Sequence, residues 1–362
     1  MCCAVIGIAA AQQSQDFDGL ARRASEALDT NPEQAAALYG RALTLRPNWA
    51  DGWLYRGAAL FQLGRFSEAR DSLRRGVELA PEKGTGVAFL GMAEYELGDY
   101  SQALADMLKG ERIGLADKPD FIAAVHYRAA LCYLRSSNFP QAFEQLKPLA
   151  INGVPPQLVI EVLGITVLGL PYLPQTLPPD KQELVGLAGR AAATFIGKGA
   201  EPAAPLFEQL GAKFPQQRGV HYIIGVSLIN RDPGEAEKEF RKELQLSPSH
   251  VLARVHLALL LTKDGDVKGA VPLAAEAAKL DPSDAMCQAT LGRVLLSAGK
   301  TADAIAALER AEKIAPDAAR THFYLVEAYR RAGRTADALK EKSEWDRLQA
   351  AQQSLERSAL TQ

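Results

Sequence analysis

Residues 64–69 read Gly-Arg-Phe-Ser-Glu-Ala, and 34 positions later residues 98–103 read Gly-Asp-Tyr-Ser-Gln-Ala. A third copy at residues 299–304 reads Gly-Lys-Thr-Ala-Asp-Ala. The alanine that closes each copy belongs to a series along the chain: Ala35, Ala69, Ala103, Ala142, Ala203, Ala236, Ala270, Ala304 and Ala338. Successive alanines are 34, 34, 39, 61, 33, 34, 34 and 34 residues apart. A period near 34 residues indicates an array of helical repeats.

Other residues recur with the alanine. A glycine lies five residues before it in five copies, at Gly64, Gly98, Gly265, Gly299 and Gly333. A proline lies twelve residues after it in six copies, at Pro47, Pro81, Pro215, Pro248, Pro282 and Pro316. Glycine suits the left-handed residue that ends a helix, and proline cannot continue one. The small alanine lets two helices approach closely. Each repeat is therefore predicted to be a helix, a tight turn, an antiparallel helix and a short turn.

This combination resembles the tetratricopeptide repeat. The best copies join Trp53-Leu54-Tyr55-Arg56-Gly57 to the segment 64–69, and Leu90-Gly91 to the segment 98–103. The resemblance covers roughly residues 16–346. It implies an all-α, right-handed superhelical solenoid of antiparallel helix pairs, with about nine repeats and a proline-rich interruption. It also implies a non-catalytic scaffold that binds other proteins.

Two spacings are longer than 34 and suggest the domain organisation. The 39-residue interval is interpreted as a longer turn at residues 114–120. The 61-residue interval holds an extra helix and the segment 170–179, whose prolines exclude a helix; a new helix is expected near Asp180 as N-cap. This segment is interpreted either as a degraded repeat or as a loop that docks on a partner. The predicted regions are residues 1–15 (signal peptide or tail), 16–154 (first sub-array), 155–182 (extra helix and loop), 183–350 (second sub-array with a capping helix) and 351–362 (tail).

Composition and motifs limit the function. A net charge of −2 with 23% charged residues argues against nucleic acid as the main partner, and no apolar stretch reaches the length of a membrane span. No catalytic motif, phosphate-binding loop or metal-ligand spacing is found, so neither an enzyme, a cofactor nor a metal is expected. His126, His221 and His322 occupy early positions of first helices and are interpreted as packing residues.

In this family the first helices line a concave groove, and the residues that the resemblance places on it are mostly apolar. The predicted partner-binding residues are Leu54, Phe61, Met92, Tyr95, Tyr127, Tyr222, Ile229, Leu259, Arg293, Phe323 and Arg330. Repeat core is the competing interpretation for such helical stripes. The family's lysine and asparagine clamp for a C-terminal carboxylate is missing at the corresponding positions. We therefore expect an apolar or amphipathic partner segment, with the C-terminal arginines contacting an acidic portion.

Two questions about cellular role stay open at this point. The array could instead be a structural subunit of an envelope or secretion assembly, using its convex face and its ends. The apolar N-terminus, with Ala9 and Ala11 before Gln12, resembles the second half of a secretory signal peptide but has no basic segment before it. This favours a periplasmic or secreted location, with a cytoplasmic one as the alternative.

Overall fold

The computed structural model describes residues 16–116, 118–151 and 156–360, with only the backbone given for residues 352 and 354–360. Over these residues the chain forms 19 α-helices and one short 3-10 helix, and no strand. The first ten helices are 16–27 (α1), Pro32–Leu45 (α2), Ala50–Gln62 (α3), Phe66–Leu79 (α4), Gly84–Glu96 (α5), Tyr100–Ile113 (α6), Pro119–Arg135 (α7), Phe139–Ile151 (α8), Gln157–Val167 (α9) and Pro179–Lys198 (α10). The others are Ala200–Lys213 (α11), Val220–Leu228 (α12), Pro233–Leu246 (α13), Val251–Lys263 (α14), Val267–Leu280 (α15), Ala285–Ser297 (α16), Thr301–Ile314 (α17), Ala319–Arg331 (α18) and Thr335–Leu360 (α19). This architecture is the all-helical repeat solenoid that the 34-residue period predicts.

The chain divides into two compact units, residues 1–197 and 198–362. The predicted sub-array limits at 154 and 183 differ from this division, which leaves α10 up to Gly197 in the first unit. The final helix runs to Leu360, so most of the tail predicted at residues 351–362 is helical. The proposed signal at residues 1–15 lies outside the described residues.

The nine alanines of the series all lie in second helices and are all buried. Eight of them are 0% exposed, and Ala338 is 4% exposed. The first helix of each pair often carries a glycine against this position. A Cβ added to Gly91 on α5, for example, would stand 2.6 Å from the carbonyl oxygen of Ala103 on α6. Such contact lets the two backbones touch, which explains why Gly91 cannot carry a side chain.

The tight turn between the two helices of a repeat uses the left-handed backbone conformation. Gly64 and Gly98 have φ angles of 71° and 86°, and the three later glycines of this series are also positive. In the fourth repeat the same place, five residues before Ala142, holds Ser137 with φ of 56°. Glycine adopts this conformation without a steric penalty, whereas serine does not.

The sequence predicts that a longer turn accounts for the 39-residue interval. The structure shows that the turn accounts for only part of it. The turn before α7 spans residues 114–118, one residue more than the turn at 80–83. Helix α7 has 17 residues where α3 and α5 have 13, so four of the five extra residues are helical. Pro119 stands in the first turn of α7, where its missing N–H has no helical partner to lose.

The 61-residue interval contains α9, a non-helical connection at residues 168–178 with a 3-10 turn at Pro174–Thr176, and α10. Helix α10 begins at Pro179, so Asp180 lies in its first turn and is not the N-cap that was predicted. Glycines bring α9 and α10 into backbone contact. A Cβ on Gly164 would stand 2.0 Å from the carbonyl oxygen of Val185, and one on Gly189 would stand 1.9 Å from that of Ile160. The extra helix is thus packed as closely as the regular repeats.

A side-chain hydrogen bond fixes the turn between repeats at several of the recurring prolines. The residue six positions after the proline donates to the proline carbonyl. Trp53 Nε1 lies 2.8 Å from the oxygen of Pro47, and His221 Nε2 lies 2.8 Å from that of Pro215. The other such donors are Arg254, Gln288 and His322. A turn carbonyl that no helix can satisfy therefore receives a partner from the following helix.

Candidate partner-binding surface

Half-buried aromatic rings connect three successive first helices of the first unit. The ring centroids of Phe61 on α3 and Phe89 on α5 are 5.4 Å apart in edge-to-face geometry. Phe89 stacks on Phe121 of α7 at 5.0 Å. Together with Tyr95 and Tyr127, we call these residues the aromatic band. Aromatic contacts of this kind contribute about 0.5–1.5 kcal/mol beyond area burial, so the band is a firm surface rather than a set of free side chains.

Arg128 of α7 completes the aromatic band from one side. Its guanidinium lies 5.8 Å from the ring centroid of Phe61 and 5.9 Å from that of Tyr95. Two of its nitrogens donate to one carboxylate oxygen of Glu96, at 2.8 and 3.1 Å. The arginine charge is therefore already compensated, and the band presents apolar ring faces instead of an unpaired cation.

The two tyrosines of the band lie close together. Burial raises the pKa of the Tyr95 hydroxyl. Burial also raises the pKa of Tyr127, and the neighbouring Tyr95 and Glu161 add to that rise. Both phenols consequently stay neutral at physiological pH. Tyr95 and Tyr127 are thus within electrostatic reach of each other, and both are uncharged.

Two other residues of the first unit that were predicted to bind a partner are less exposed to solvent. Met92 is 4% exposed and packs in the core with Ala88 and Met107, so the exposed position expected for it is not observed. Leu54 is half-buried, and its side chain fills the space in front of Gly76 and Gly86. The reason is shared by both residues. A first helix packs on its own repeat and on the next one, which leaves only a narrow outward stripe.

In the second unit, Tyr222 lies in a cluster of rings. Its centroid is 4.6 Å from that of His250, 5.8 Å from that of His256 and 6.1 Å from that of Phe240. Burial lowers the pKa of both histidines, that of His256 to about 4, and raises the pKa of Tyr222. The cluster is therefore uncharged. Ile229 and Leu259 are half-buried beside the neighbouring core, so these three predicted residues act largely in packing.

The last predicted residues form a more open patch. Phe323 on α18 is 46% exposed, and its ring lies 5.5 Å from that of Trp345 on α19. Arg293 is half-buried over the ring of Tyr324 at 5.7 Å. Arg330 is exposed. Apolar rings and cations are therefore both present among these residues, and an acidic partner portion stays a prediction.

The predicted packing histidines are buried and hydrogen-bonded. His126 Nδ1 lies 2.7 Å from Gln145 Oε1, and His221 Nδ1 lies 2.5 Å from Glu239 Oε2. His322 pairs with Glu341 in the same way. Sequence reasoning identified the histidines but not these partners, although each partner lies three residues after an alanine of the series. That offset within the repeat is the signal that could have found them.

Among the described residues, one group of three could hold a metal ion, namely Glu312, His322 and Glu341. The sequence had not suggested it because the three residues come from three different helices. The two cysteines in the described part of the chain, Cys132 and Cys287, are free and buried. Burial raises the pKa of the Cys132 thiol to about 11 and also raises that of Cys287, which makes both poor nucleophiles.

Within the described residues, no helix is both long enough and apolar enough to cross a membrane. Models of the tetratricopeptide repeat match residues 50–83, 228–285 and 290–354. A probable biofilm formation methyltransferase, WspC of Pseudomonas putida, is 36% identical over 94 residues. Those residues are 26% of this chain and 22% of the relative, so the chain spans less than a quarter of the relative's length.

Solved structures of MamA are similar to part of the chain. The structure of MamA from residue 41 to its end, from Desulfovibrio magneticus RS-1, is 20% identical with a TM-score of 0.43. It covers 47% of this chain and 97% of the MamA chain. Another crystal structure of MamA is 18% identical with a TM-score of 0.41, and covers 45% of this chain and 96% of the other.

Proposed function

Because the chain is a tetratricopeptide-repeat protein, and such arrays serve in general as protein-interaction scaffolds, we propose that it binds a partner protein on the aromatic band. The observation that carries this proposal is the continuity of the band. Rings from α3, α5 and α7 touch one another, so a single extended or helical segment can contact three repeats at once. Aromatic side chains on a rigid support are favoured anchors for such contacts.

The chemistry of the band favours an apolar or amphipathic segment. Arg128 is paired with Glu96, and the tyrosines are neutral, so none of these three side chains offers a free counter-charge to a partner. Burying an unpaired charge is unfavourable, whereas covering ring faces with apolar groups is favourable. In the second unit, Phe323 with Arg293 and Arg330 would suit a segment that also carries acidic residues. The apolar contact supplies affinity, and the arginines supply orientation.

This proposal includes no catalytic step. Tetratricopeptide arrays are typically non-catalytic. The similarity to the methyltransferase WspC covers 22% of that protein, which gives no reason to transfer its activity. We propose an exported location from the N-terminal pattern. The residue at the mature N-terminus, read by mass spectrometry, tests this: cleavage before Gln12 supports export, and an intact Met1 contradicts it.

The binding proposal is tested by the double variant Tyr95→Ala with Tyr127→Ala. A photo-crosslinking amino acid at position 89 would first mark the partner that lies on the band in the native organism. The double variant should then capture that partner at least about tenfold less, since loss of two aromatic anchors removes more than about 1.4 kcal/mol. Unchanged circular dichroism and melting would show that the array is intact. Equal capture by the wild type and the variant would refute binding at the band.

A second candidate function has its own observation. Ile113, Leu280 and Ile314 are 40–42% exposed, and each lies ten residues after an alanine of the series, at the end of a second helix. A regular series of exposed apolar side chains suits a structural subunit that packs through its second helices. Leu280→Ala with Ile314→Ala is therefore the matched control. If this variant no longer captures the partner and the tyrosine variant still does, the result favours a structural subunit that packs through its second helices over binding at the aromatic band.

A further inference from the structure

Three side chains with metal-ligand atoms converge from the last three helices. Glu312 on α17, His322 on α18 and Glu341 on α19 each offer one oxygen or nitrogen atom, and these atoms lie within 4.8 Å of one another. His322 and Glu341 are buried, and Glu312 is half-buried. We propose that these residues bind one divalent transition-metal ion of the zinc class. Neither the array fold nor the aromatic band requires such a site.

The imidazole of His322 is oriented as a ligand would be. Its Nε2–H donates to the carbonyl oxygen of Pro316 at 2.9 Å, because a carbonyl can only accept. The other nitrogen, Nδ1, then points at Glu341 Oε2, 2.7 Å away. Metal-binding histidines in proteins usually donate their second nitrogen to a carbonyl or carboxylate in this way. The ion takes the place that a proton between Nδ1 and the carboxylate would otherwise occupy.

The exchange requires two changes in distance: the widest separation among the three ligand atoms, up to 4.8 Å, must close by roughly 1.5 Å, and the shortest must open. Around zinc, with bonds of about 2.0–2.1 Å, two ligand atoms in tetrahedral geometry stand about 3.3 Å apart. The 2.7 Å separation of Nδ1 and Oε2 must therefore widen by roughly 0.6 Å. A rotation of the flexible Glu341 side chain supplies such a shift. Imidazole nitrogen with two carboxylate oxygens is a ligand set that zinc accepts, with water in the fourth position.

The group opens onto a surface cavity of about 490 Å³, through which an ion and its waters can enter. Lys340, Ser343 and Glu344 also line this cavity. Glu344 is ion-paired with Arg347. The charged groups that act on Glu312 are Glu341, His322, Lys340 and the further carboxylate of Glu309. Two carboxylates around one ion of charge +2 would be electrically balanced at the site.

Other repeats also contain the histidine, but they lack one or both of the carboxylates that accompany His322. Around His221, Glu239 corresponds to Glu341, but Gly211 stands in the place of Glu312, eight residues after the preceding alanine. Lys242 stands in the place of Glu344 and donates to Glu239 Oε1 at 2.5 Å, which occupies that carboxylate. The comparison shows that a structural histidine–carboxylate pair needs no second acid. The addition of Glu312 is what makes the last repeat suited to a cation.

Around His126 the set is incomplete in a different way. Glu111 stands in the place of Glu312, with its Oε1 3.9 Å from Nε2 of His126. Gln145 takes the place of Glu341, and its amide oxygen lies 2.7 Å from Nδ1. A neutral amide is a weaker metal ligand than a carboxylate, so this repeat provides a second natural comparison.

The test uses the full chain, with any tag removed and metal stripped by chelator and dialysis. Titration with zinc in a calorimeter should show one site per chain. Glu312→Gln should weaken this site by at least the 10–100-fold that loss of an outer-shell partner produces. The variant keeps the His322–Glu341 hydrogen bond, so its metal-free melting temperature should match that of the wild type. Glu239→Gln, at the His221 pair, is the matched control and should bind zinc as the wild type does.

A second readout identifies the ligands directly. The X-ray absorption spectrum of the one-to-one zinc complex should fit nitrogen and oxygen ligands at about 2.0–2.1 Å, with no sulfur at about 2.3 Å. Zinc should also raise the melting temperature of the wild type and not that of Glu312→Gln, because the ion joins α17, α18 and α19. No zinc binding by the wild type, equal binding by Glu312→Gln, or a sulfur ligand would each overturn the proposal.

Discussion

Replacing the buried carboxyl of Glu94 should make the protein more stable at alkaline pH. Glu94 on α5 is 3% exposed, and its Oε2 has no hydrogen-bond partner within the described chain. Arg74 approaches its other oxygen only to 3.9 Å. Burial, followed by the neighbouring carboxylates Asp106 and Asp99, raises the pKa of Glu94 from 4.5 to about 7. The charged form is therefore held in an unfavourable place.

The size and sign of the effect follow from this pKa. A proton binds the folded form more tightly than the unfolded form, so its stabilising contribution is complete below about pH 4.5 and is lost as the pH rises through about 7. Each pKa unit corresponds to about 1.4 kcal/mol. Between pH 5 and pH 8 the wild type should lose about 2–3 kcal/mol of unfolding free energy through this one residue.

Glu94→Gln keeps the shape of the protonated acid and cannot ionise, and its amide can donate to Asp106. Urea unfolding at pH 5 and pH 8 should show that the advantage of the variant over the wild type grows by about 2 kcal/mol with pH. The exposed carboxylate of Glu82 provides the control, because Glu82→Gln should change stability equally at both values. The reasoning fails if the advantage of Glu94→Gln is the same at pH 5 and pH 8.

Two further substitutions test the repeat geometry through unfolding free energy in urea. Ser137→Gly should stabilise the protein by about 0.5–1 kcal/mol, because it relieves a left-handed serine, while Ser136→Gly next to it should not. Ala270→Glu should destabilise by several kcal/mol, since it places a charge and four extra heavy atoms beyond Cβ at a fully buried contact. The exposed Ala306→Glu is its control, and equal melting temperatures for these two variants would contradict the packing role of Ala270.

The helix pairs could be predicted because the turns of each repeat contain glycine and proline, whose backbone conformations restrict where a helix can begin or end. Gly64 marks a left-handed turn, and the recurring prolines mark the ends of second helices. These are local constraints of backbone sterics, and the observed φ angles agree with them. The extra helix α9 was also predictable, because the prolines of 171–179 forbid a helix beyond it.

The prediction was wrong for residues whose local sequence is compatible with two structural positions. Pro119 was interpreted as part of a turn, yet it is equally compatible with the first turn of a helix, and α7 begins there. Met92 was assigned to an outward face, yet nine of the 13 residues of α5 are buried. Periodicity cannot separate the faces of such a helix, because nearly every face meets a neighbouring helix. Tertiary packing decides both cases.

The same limit applies to the polar contacts that distinguish one repeat from another. The position six residues after the repeat proline holds Trp53, His221 or His322, and in each case the side chain donates to the proline carbonyl. A donor is present at five of the six recurring prolines, and Val87 follows the sixth, so the position favours a donor without requiring one. Where a histidine donates this hydrogen bond through Nε2, its Nδ1 can pair with different partners. Residues on two other helices determine which partner Nδ1 has. Gly211 and Lys242 leave His221 in a structural pair, whereas Glu312 and Glu344 give His322 an acidic surrounding. Specific function in such an array therefore resides in the residues that vary between repeats.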